Sequence, residues 1–320
     1  MTSNGAPSPE AMASPEATAT GAPRPGGSGL LAGRAVSRIG CGAMQLERLH
    51  GDRPAAIALL RRAVELGVDH IDTAQFYGDG LANGLIREAI RPEDGVLVVS
   101  KVGAAPNPGG PVRLRLAQRP QELRASVEDN LTSLGVDQLA LVNLRRTDTG
   151  PGLRAEGDQL VDLDDQLAVM VAMRDEGKIG AIGLSSVSLD VLRRAIPAGI
   201  ACVQNAYSLV ARDDEDMLSL CAAEKIAWVP YFPLGSAFPG MPKVTDEPAV
   251  RAAAQSLGST PQQIGLAWLL RHAPNVLLIP GTADADHLEA NIAAGAITLD
   301  GATLAALDAV PTRSAVVPLG

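Results

Sequence analysis

Asp72-Thr73-Ala74-Gln75-Phe76-Tyr77-Gly78, followed one helix-length later by Val98-Val99-Ser100-Lys101, supplies a carboxylate, a phenol and an ammonium at positions from which they can converge. A phenol with an ordinary pKa of about 10 is a poor proton donor at neutral pH unless a cation favours its phenolate, and a buried lysine tied to an aspartate is such a cation. The set reads as an acid catalyst. Each residue alone has a plainer reading: Asp-Thr-Ala after an apolar strand caps the next helix, Tyr77 fills a half-buried position, and Lys101 is a solvated loop charge. The three together, in this order, favour the chemical reading.

The elements that must carry these residues alternate. From Leu30 onward, short β-like runs are separated by amphipathic helical segments, the pattern of a parallel sheet with crossover helices. Candidate strands are Val36 to Ile39, Val68 to Ile71, Val96 to Ser100, Leu139 to Leu144, Ile179 to Leu184, Ala201 to Gln204, Ala227 to Pro230 and Val276 to Ile279. Eight such units predict an α/β fold of the (β/α)₈ barrel type, over residues 30–320. Helices are expected at Ala55 to Leu66, ending at Gly67, at Pro120 to Leu134, ending at Gly135, and from Asp300 to Val310. Two connections exceed what barrel turns need, Val102 to Arg119 and Ser236 to Pro248, and both are candidate substrate loops.

Met1 to Gly29 is rich in Ala, Pro, Ser, Thr and Gly, has no leucine, isoleucine or valine, and is expected to be a disordered tail. It lacks the pattern of a secretory signal, and no later stretch is long and apolar enough to span a bilayer, so a cytoplasmic protein without a membrane partner is expected. A formal net charge of -9 without a basic stripe argues against nucleic acid as a partner. Cys41, Cys202 and Cys221, with His50, His70, His272 and His287, show no metal-ligand spacing, so no metal is expected. Aromatic residues make up only 2% of the chain, and Phe76, Tyr77, Tyr207, Tyr231, Phe232 and Phe238 all fall just beyond predicted strands. Their placement suggests aromatic surface reserved for a flat ligand rather than for the core.

Between about Arg34 and about Asp308 the sequence resembles the aldo-keto reductases, first in the Asp72, Tyr77 and Lys101 set and then in four strand motifs. Gly177-Lys178-Ile179-Gly180-Ala181-Ile182-Gly183-Leu184-Ser185-Ser186 is similar to the family's fifth strand, which implies that Ser185 and Ser186 hold a nicotinamide carboxamide, with Ser186 standing where the family has asparagine. Val203-Gln204-Asn205-Ala206-Tyr207 resembles the sixth, implying the same ligand for Gln204. Pro230-Tyr231-Phe232-Pro233-Leu234-Gly235-Ser236 resembles the seventh, implying that Tyr231 stacks on the nicotinamide and that Phe232, Leu234 and Ser236 lie along the cofactor. Ile279-Pro280-Gly281-Thr282, with His287 and Asn291, resembles the eighth strand and the helix that holds the adenosine end. Gly281 and His287 replace the lysine and arginine that bind the 2′-phosphate in well-known branches. The resemblance therefore implies NADPH, with NADH possible.

Gly40-Cys41-Gly42-Ala43-Met44 is no Rossmann fingerprint but resembles the family's first-strand loop, placing Gly42 and Met44 beneath the ribose and nicotinamide. Leu30 to Arg34 then belongs to a small hairpin closing the barrel bottom. Arg145, in Val142-Asn143-Leu144-Arg145-Arg146, occupies the family's substrate-orienting histidine position. It keeps its protons, so it cannot be a general acid, but it can donate to a carbonyl or phenolate oxygen. A surface salt bridge is the plainer role for it. These motifs look like a bacterial branch that includes pyridoxal reductases. The activity implied is reduction of a small-molecule aldehyde or ketone with Tyr77 as acid and Phe76 and Phe238 against the substrate. A slow, cofactor-sensing regulatory protein is the alternative, and an unrelated phosphate-binding barrel a third. Oligomeric state is left open.

Overall fold

A computed structural model describes residues 18–19, 21–110, 112–149, 153–235 and 241–314. In chain order the strands and helices are β1 (Ser28–Leu31), β2 (Arg34–Ser37), β3 (Cys41–Gly42), α1 (Arg53–Glu65), β4 (His70–Asp72), α2 (Leu81–Ala89), β5 (Leu97–Val102), β6 (Ala104–Pro106), β7 (Leu114–Leu116) and α3 (Pro120–Leu134). They continue with β8 (Leu141–Arg145), α4 (Leu163–Asp175), β9 (Ile182–Ser185), α5 (Leu189–Ala195), β10 (Ile200–Gln204), α6 (Glu215–Ala223), β11 (Ala227–Trp228), α7 (Pro248–Ser256), α8 (Pro261–His272), α9 (Ala285–Ala293) and α10 (Gly301–Asp308).

Local chemistry sets the helix ends. Asp52 accepts from the Ala55 amide to start α1, two residues before the expected Ala55, and Pro54 sits in the first turn where its missing N–H costs nothing. Helix α3 runs over the expected span and stops where Gly135 turns left-handed at φ +68°. Thr260 and Gln263 form a reciprocal cap on α8.

The seven strands β3, β4, β5, β8, β9, β10 and β11 make one parallel sheet in that order. Isolated parallel bridges join Trp228 of β11 to Val276, and Ile39, just before β3, to Leu278, so the expected eighth strand region contacts both edges. Side chains alternate across each strand. Leu97 and Val99 of β5 point to the inner face with Leu141, Cys202, Ala227, Val229 and Leu277, while Val98 packs on the larger cluster shared with the helices. Lys101 follows Leu97 and Val99 at the same two-residue spacing and so emerges on that inner face.

Two expectations change. The first sheet strand is Cys41–Gly42, not Val36 to Ile39, because Arg34–Ser37 pairs antiparallel with Ser28–Leu31 in the expected hairpin. Leu31 and Val36 of that hairpin join the inner-face cluster.

The expected tail also ends earlier than Gly29. Ser28 and Gly29 are strand residues, Gly27 accepts from the Arg38 amide, and Pro25 accepts from the Ile39 amide. Arg24 donates to Asp69 at 3.3 Å and to the Ala35 carbonyl at 3.2 Å. Backbone bonds and one arginine hold a segment that has no large apolar side chain. Met1 to Glu16 and neighbouring Ala17 lie outside the described residues. Relative to a chain starting at Thr18, one starting at Leu30 is expected to lose about 2–4 kcal/mol of stability, from an open hairpin edge and a buried Asp69 left with the Ser37 amide but without its arginine. A thermal melt checks this, and equal melting temperatures would mean that the contacts contribute nothing.

Candidate active site

The C-terminal ends of neighbouring parallel strands bring the site together. Asp72 closes β4, Lys101 lies on β5, Arg145 closes β8, Ser185 closes β9 and Gln204 closes β10. Register fixes their heights: Asp72 pairs with Val99, Lys101 with Asn143, and Ser185 with both Arg145 and Gln204.

The acid set converges as the sequence predicts. The buried Lys101 ammonium donates to Asp72 Oδ1 and, at 3.2 Å, to the Thr73 carbonyl, and it stands 5.0 Å from the centroid of the Tyr77 ring. Tyr77 packs edge-on against Phe76 with ring centres 5.3 Å apart. Burial pushes the Tyr77 phenol above its ordinary pKa, with Lys101 and then Arg145 pulling in the opposite direction. The expected lowering by Lys101 is therefore present but outweighed, and the Tyr77 phenol keeps its proton at neutral pH. Burial pulls Lys101 down, yet Asp72 and Tyr77 overcome it and leave the ammonium above its ordinary value.

A buried amide and hydroxyl network backs this set. Thr73 Oγ1 donates to Asn83 Oδ1 at 2.8 Å, Asn83 Nδ2 donates to Asn130 Oδ1 at 3.0 Å, and Ser100 Oγ donates to the same oxygen at 2.5 Å. These bonds tie α2 and α3 to the strands that carry Asp72 and Lys101, and satisfied buried networks are rigid.

Above the set opens a cavity of about 1160 Å³. Gly42, Met44, Phe76, Ser185, Ser186, Gln204, Tyr231, Phe232, Leu234, Gly281 and Asn291 all line it, together with Asp72, Tyr77, Lys101 and Arg145. A side chain at Gly42 would meet the Ile279 carbonyl oxygen at 2.6 Å, so glycine is required where that backbone approaches. Ser186 has a left-handed backbone at φ +56°, a conformation that favours asparagine and glycine, and its hydroxyl lies 3.2 Å from the Tyr231 hydroxyl. Phe232 shares φ +56°, which is strained for a bulky residue and turns its ring beside Tyr231, with centres 5.0 Å apart.

Arg145 enters the cavity from β8 with no ion-pair partner among the described residues, and its Nη1 is enclosed without an acceptor. Its backbone carbonyl is held by Gln118 at 2.7 Å. Burial lowers its pKa from the ordinary guanidinium value, opposed by the nearby Tyr231 and Tyr77 phenols. A surface salt bridge is not what this side chain makes.

Some expected residues stand apart. Thr282 and His287 do not line the cavity: Thr282 Oγ1 accepts from the Asp284 amide at 3.1 Å, and His287 is exposed. Asp284 Oδ1 already accepts from the His287 amide, so the expected free N-terminus of α9 carries a carboxylate cap. Tyr207 is buried and donates to Glu215 at 2.6 Å rather than facing a ligand, because its ring packs edge-on against Trp228 inside the fold. Ser236 and Phe238 lie outside the described residues.

Sequence reading missed Gln45, Leu153, Arg154 and Glu156, which also line the cavity. The signal for the last three was the length of chain between Arg145 and Leu163. Val112, Arg113 and Leu114 come from the connection after β5 already marked by its length.

A parallel α/β sheet with an aspartate, lysine and tyrosine at the mouth defines a class, and the comparisons agree. Residues 38–311 match the aldo/keto reductase family, and the chain belongs to it. It is an oxidoreductase of that family. Over 285 residues it is 41% identical to pyridoxine 4-dehydrogenase of Escherichia coli K12, covering 87% of this chain and 96% of that protein. It is 35% identical to an uncharacterized oxidoreductase of Schizosaccharomyces pombe over 85% of this chain and 86% of that one. Its structure is similar to that of an aldo-keto reductase from Klebsiella pneumoniae in complex with NADPH, with a TM-score of 0.74 and 28% identity over 89% of this chain and 95% of the other.

Proposed function

We propose that this protein reduces a planar aldehyde of the pyridoxal type, or oxidises the corresponding alcohol, with NADP(H), on an eight-stranded barrel closed by the Val276 to Ile279 segment. Closure is supported by the bridges from that segment to both sheet edges. The observation that carries the activity is Lys101 placed between Asp72 and the Tyr77 ring on the floor of the cavity.

The residues fit a nicotinamide cofactor. Gln204 Oε1 is a buried acceptor at the cavity floor without a partner among the described residues, Ser185 and Ser186 supply hydroxyls in the same cavity, and Tyr231 supplies an aromatic face. NADPH, when bound, supplies a hydride to the carbonyl carbon. The carbonyl π electrons move onto oxygen, which takes the proton from Tyr77 Oη, and Lys101 stabilises the phenolate that remains. Asp72 holds the ammonium in place. Arg145 directs N–H groups at an oxygen of the substrate, and Phe76 and Phe232 pack against its ring.

The test is nucleotide oxidation at 340 nm with pyridoxal and with 4-nitrobenzaldehyde. Turnover of pyridoxal supports the reading. Tight nucleotide binding without turnover of either aldehyde would replace it with the cofactor-sensing alternative.

Cofactor choice follows from the start of α9. Asp284 places a carboxylate there, and no lysine or arginine occurs from Gly281 to Asn291. NADPH is expected to bind more tightly than NADH by less than about tenfold, or 1.4 kcal/mol. Dissociation constants for the two nucleotides measure this ratio, and tighter binding of NADH would reassign Asn291 and its neighbours to a ribose.

A further inference from the structure

Asp72 has a second partner that the acid set does not explain. Gln204, at the end of β10, donates from Nε2 to Asp72 Oδ2 at 2.7 Å, while Lys101 occupies Oδ1. Both side chains are buried, 132 residues apart in sequence. A carboxylate with a single donor can turn about its last bond, whereas donors on both oxygens fix its plane. The other end of the Gln204 amide, Oε1, is enclosed and has no partner among the described residues. One rigid amide thus touches the carboxylate with one atom and presents an empty acceptor with the other.

We propose that Gln204 is a positioning residue for the acid set: its Nε2 locks the Asp72 carboxylate in the plane that holds Lys101 against Tyr77, and its Oε1 makes that lock respond to an N–H donor in the cavity. A donor arriving at Oε1 polarises the amide and strengthens the Nε2 bond to Asp72. The amide then links occupancy of the pocket to the geometry of Tyr77. This part rests on the carbonyl-reductase reading, while the lock itself does not.

Gln204→Glu tests it, because the carboxyl O–H can replace the Nε2 donor only while protonated. Burial and the like charge of Asp72 raise the pKa of such a glutamate. The other ionisable groups around Asp72 are Lys101 on β5, Cys41 on β3, Cys202 on β10, and Tyr77 and Arg145 across the floor; His70 lies one turn of the pleat back on β4 itself. Burial raises both thiols, Cys41 to about 12, so neither titrates in the range used.

A carboxyl whose folded pKa is raised binds more protons folded than unfolded, so its contribution to stability is lost as pH rises towards the folded pKa. In nucleotide-free protein, Gln204→Glu is therefore expected to lower the melting temperature, relative to wild type, by about 4 °C or more between pH 5.5 and 8.5. Adding Asp72→Asn should shrink that pH-dependent difference to the part that burial alone produces. With saturating NADPH and aldehyde, kcat of Gln204→Glu should fall by about tenfold or more over the same range, relative to wild type. Its NADPH dissociation constant, read from nucleotide fluorescence, should stay within about threefold because an acceptor oxygen is retained.

A melting difference that does not depend on pH or on Asp72 overturns the lock. A pH-dependent melt with an unchanged kcat profile, or a rate loss accounted for by NADPH affinity, overturns its role in positioning Tyr77. If wild type turns over no aldehyde, the carbonyl-reductase reading fails, and the melting experiment still decides the lock.

Discussion

Phenylalanine at position 77 is expected to lower the rate of carbonyl reduction by roughly 10²–10⁴-fold, the contribution of a positioned acid. Ring packing against Phe76 survives the change, as does the cavity wall, so the NADPH dissociation constant should move little. The loss should lie in kcat, since the proton is given up during the chemical step and not on binding. Wild-type reduction should hold through neutral pH and fall only above the ordinary phenol range of about 10, because burial keeps the Tyr77 proton on. Steady-state kinetics with measured nucleotide affinity check both statements. Near-normal turnover by Tyr77→Phe would remove the tyrosine from the chemistry.

Arg145→Met should separate two aldehydes. Pyridoxal carries a phenolic oxygen next to its reactive carbon, and the flat guanidinium fork can bond the phenolate and carbonyl oxygens together. Loss of that fork leaves a desolvated phenolate unpaired, a cost of about 2–5 kcal/mol. For pyridoxal, kcat/KM is expected to drop by about 10²-fold or more; for 4-nitrobenzaldehyde, which lacks the phenol, the drop should be much smaller. Equal losses would confine Arg145 to the common carbonyl. Arg145→His is the companion variant, expected to recover reduction of simple aldehydes but not the preference for pyridoxal.

The floor of the site was legible in the sequence because strand chemistry is local. Asp72, Lys101, Arg145, Ser185 and Gln204 each sit at the end of an apolar run, and the ends of adjacent parallel strands meet by construction. Tyr77 follows β4 by a short turn and comes with it. The walls were less legible, since Leu153, Arg154 and Glu156 belong to a long connection whose path depends on tertiary contacts. Tyr207 was misread for a related reason: its position beyond a strand says nothing about Glu215, which captures its hydroxyl eight residues later. At α9, composition identified a helix start but not that Asp284 caps it. The bond from Gln204 to Asp72 joins β10 to β4 and has no trace in either motif alone. The N-terminal segment failed the composition test for order because that test counts apolar side chains, and this segment is held by backbone pairing and Arg24.

Arg145 also has a consequence for the free protein. A guanidinium whose Nη1 is enclosed, with no anion beside it among the described residues, destabilises the fold that contains it, and a ligand that brings an anionic oxygen there offsets the penalty. By mass action, a ligand at a hundred times its dissociation constant raises stability by about 2.7 kcal/mol. The protein therefore reports its own preferred ligands as heat resistance: among planar aldehydes and alcohols of equal size, those bearing an ionised oxygen beside the reactive carbon should give the larger rise in melting temperature.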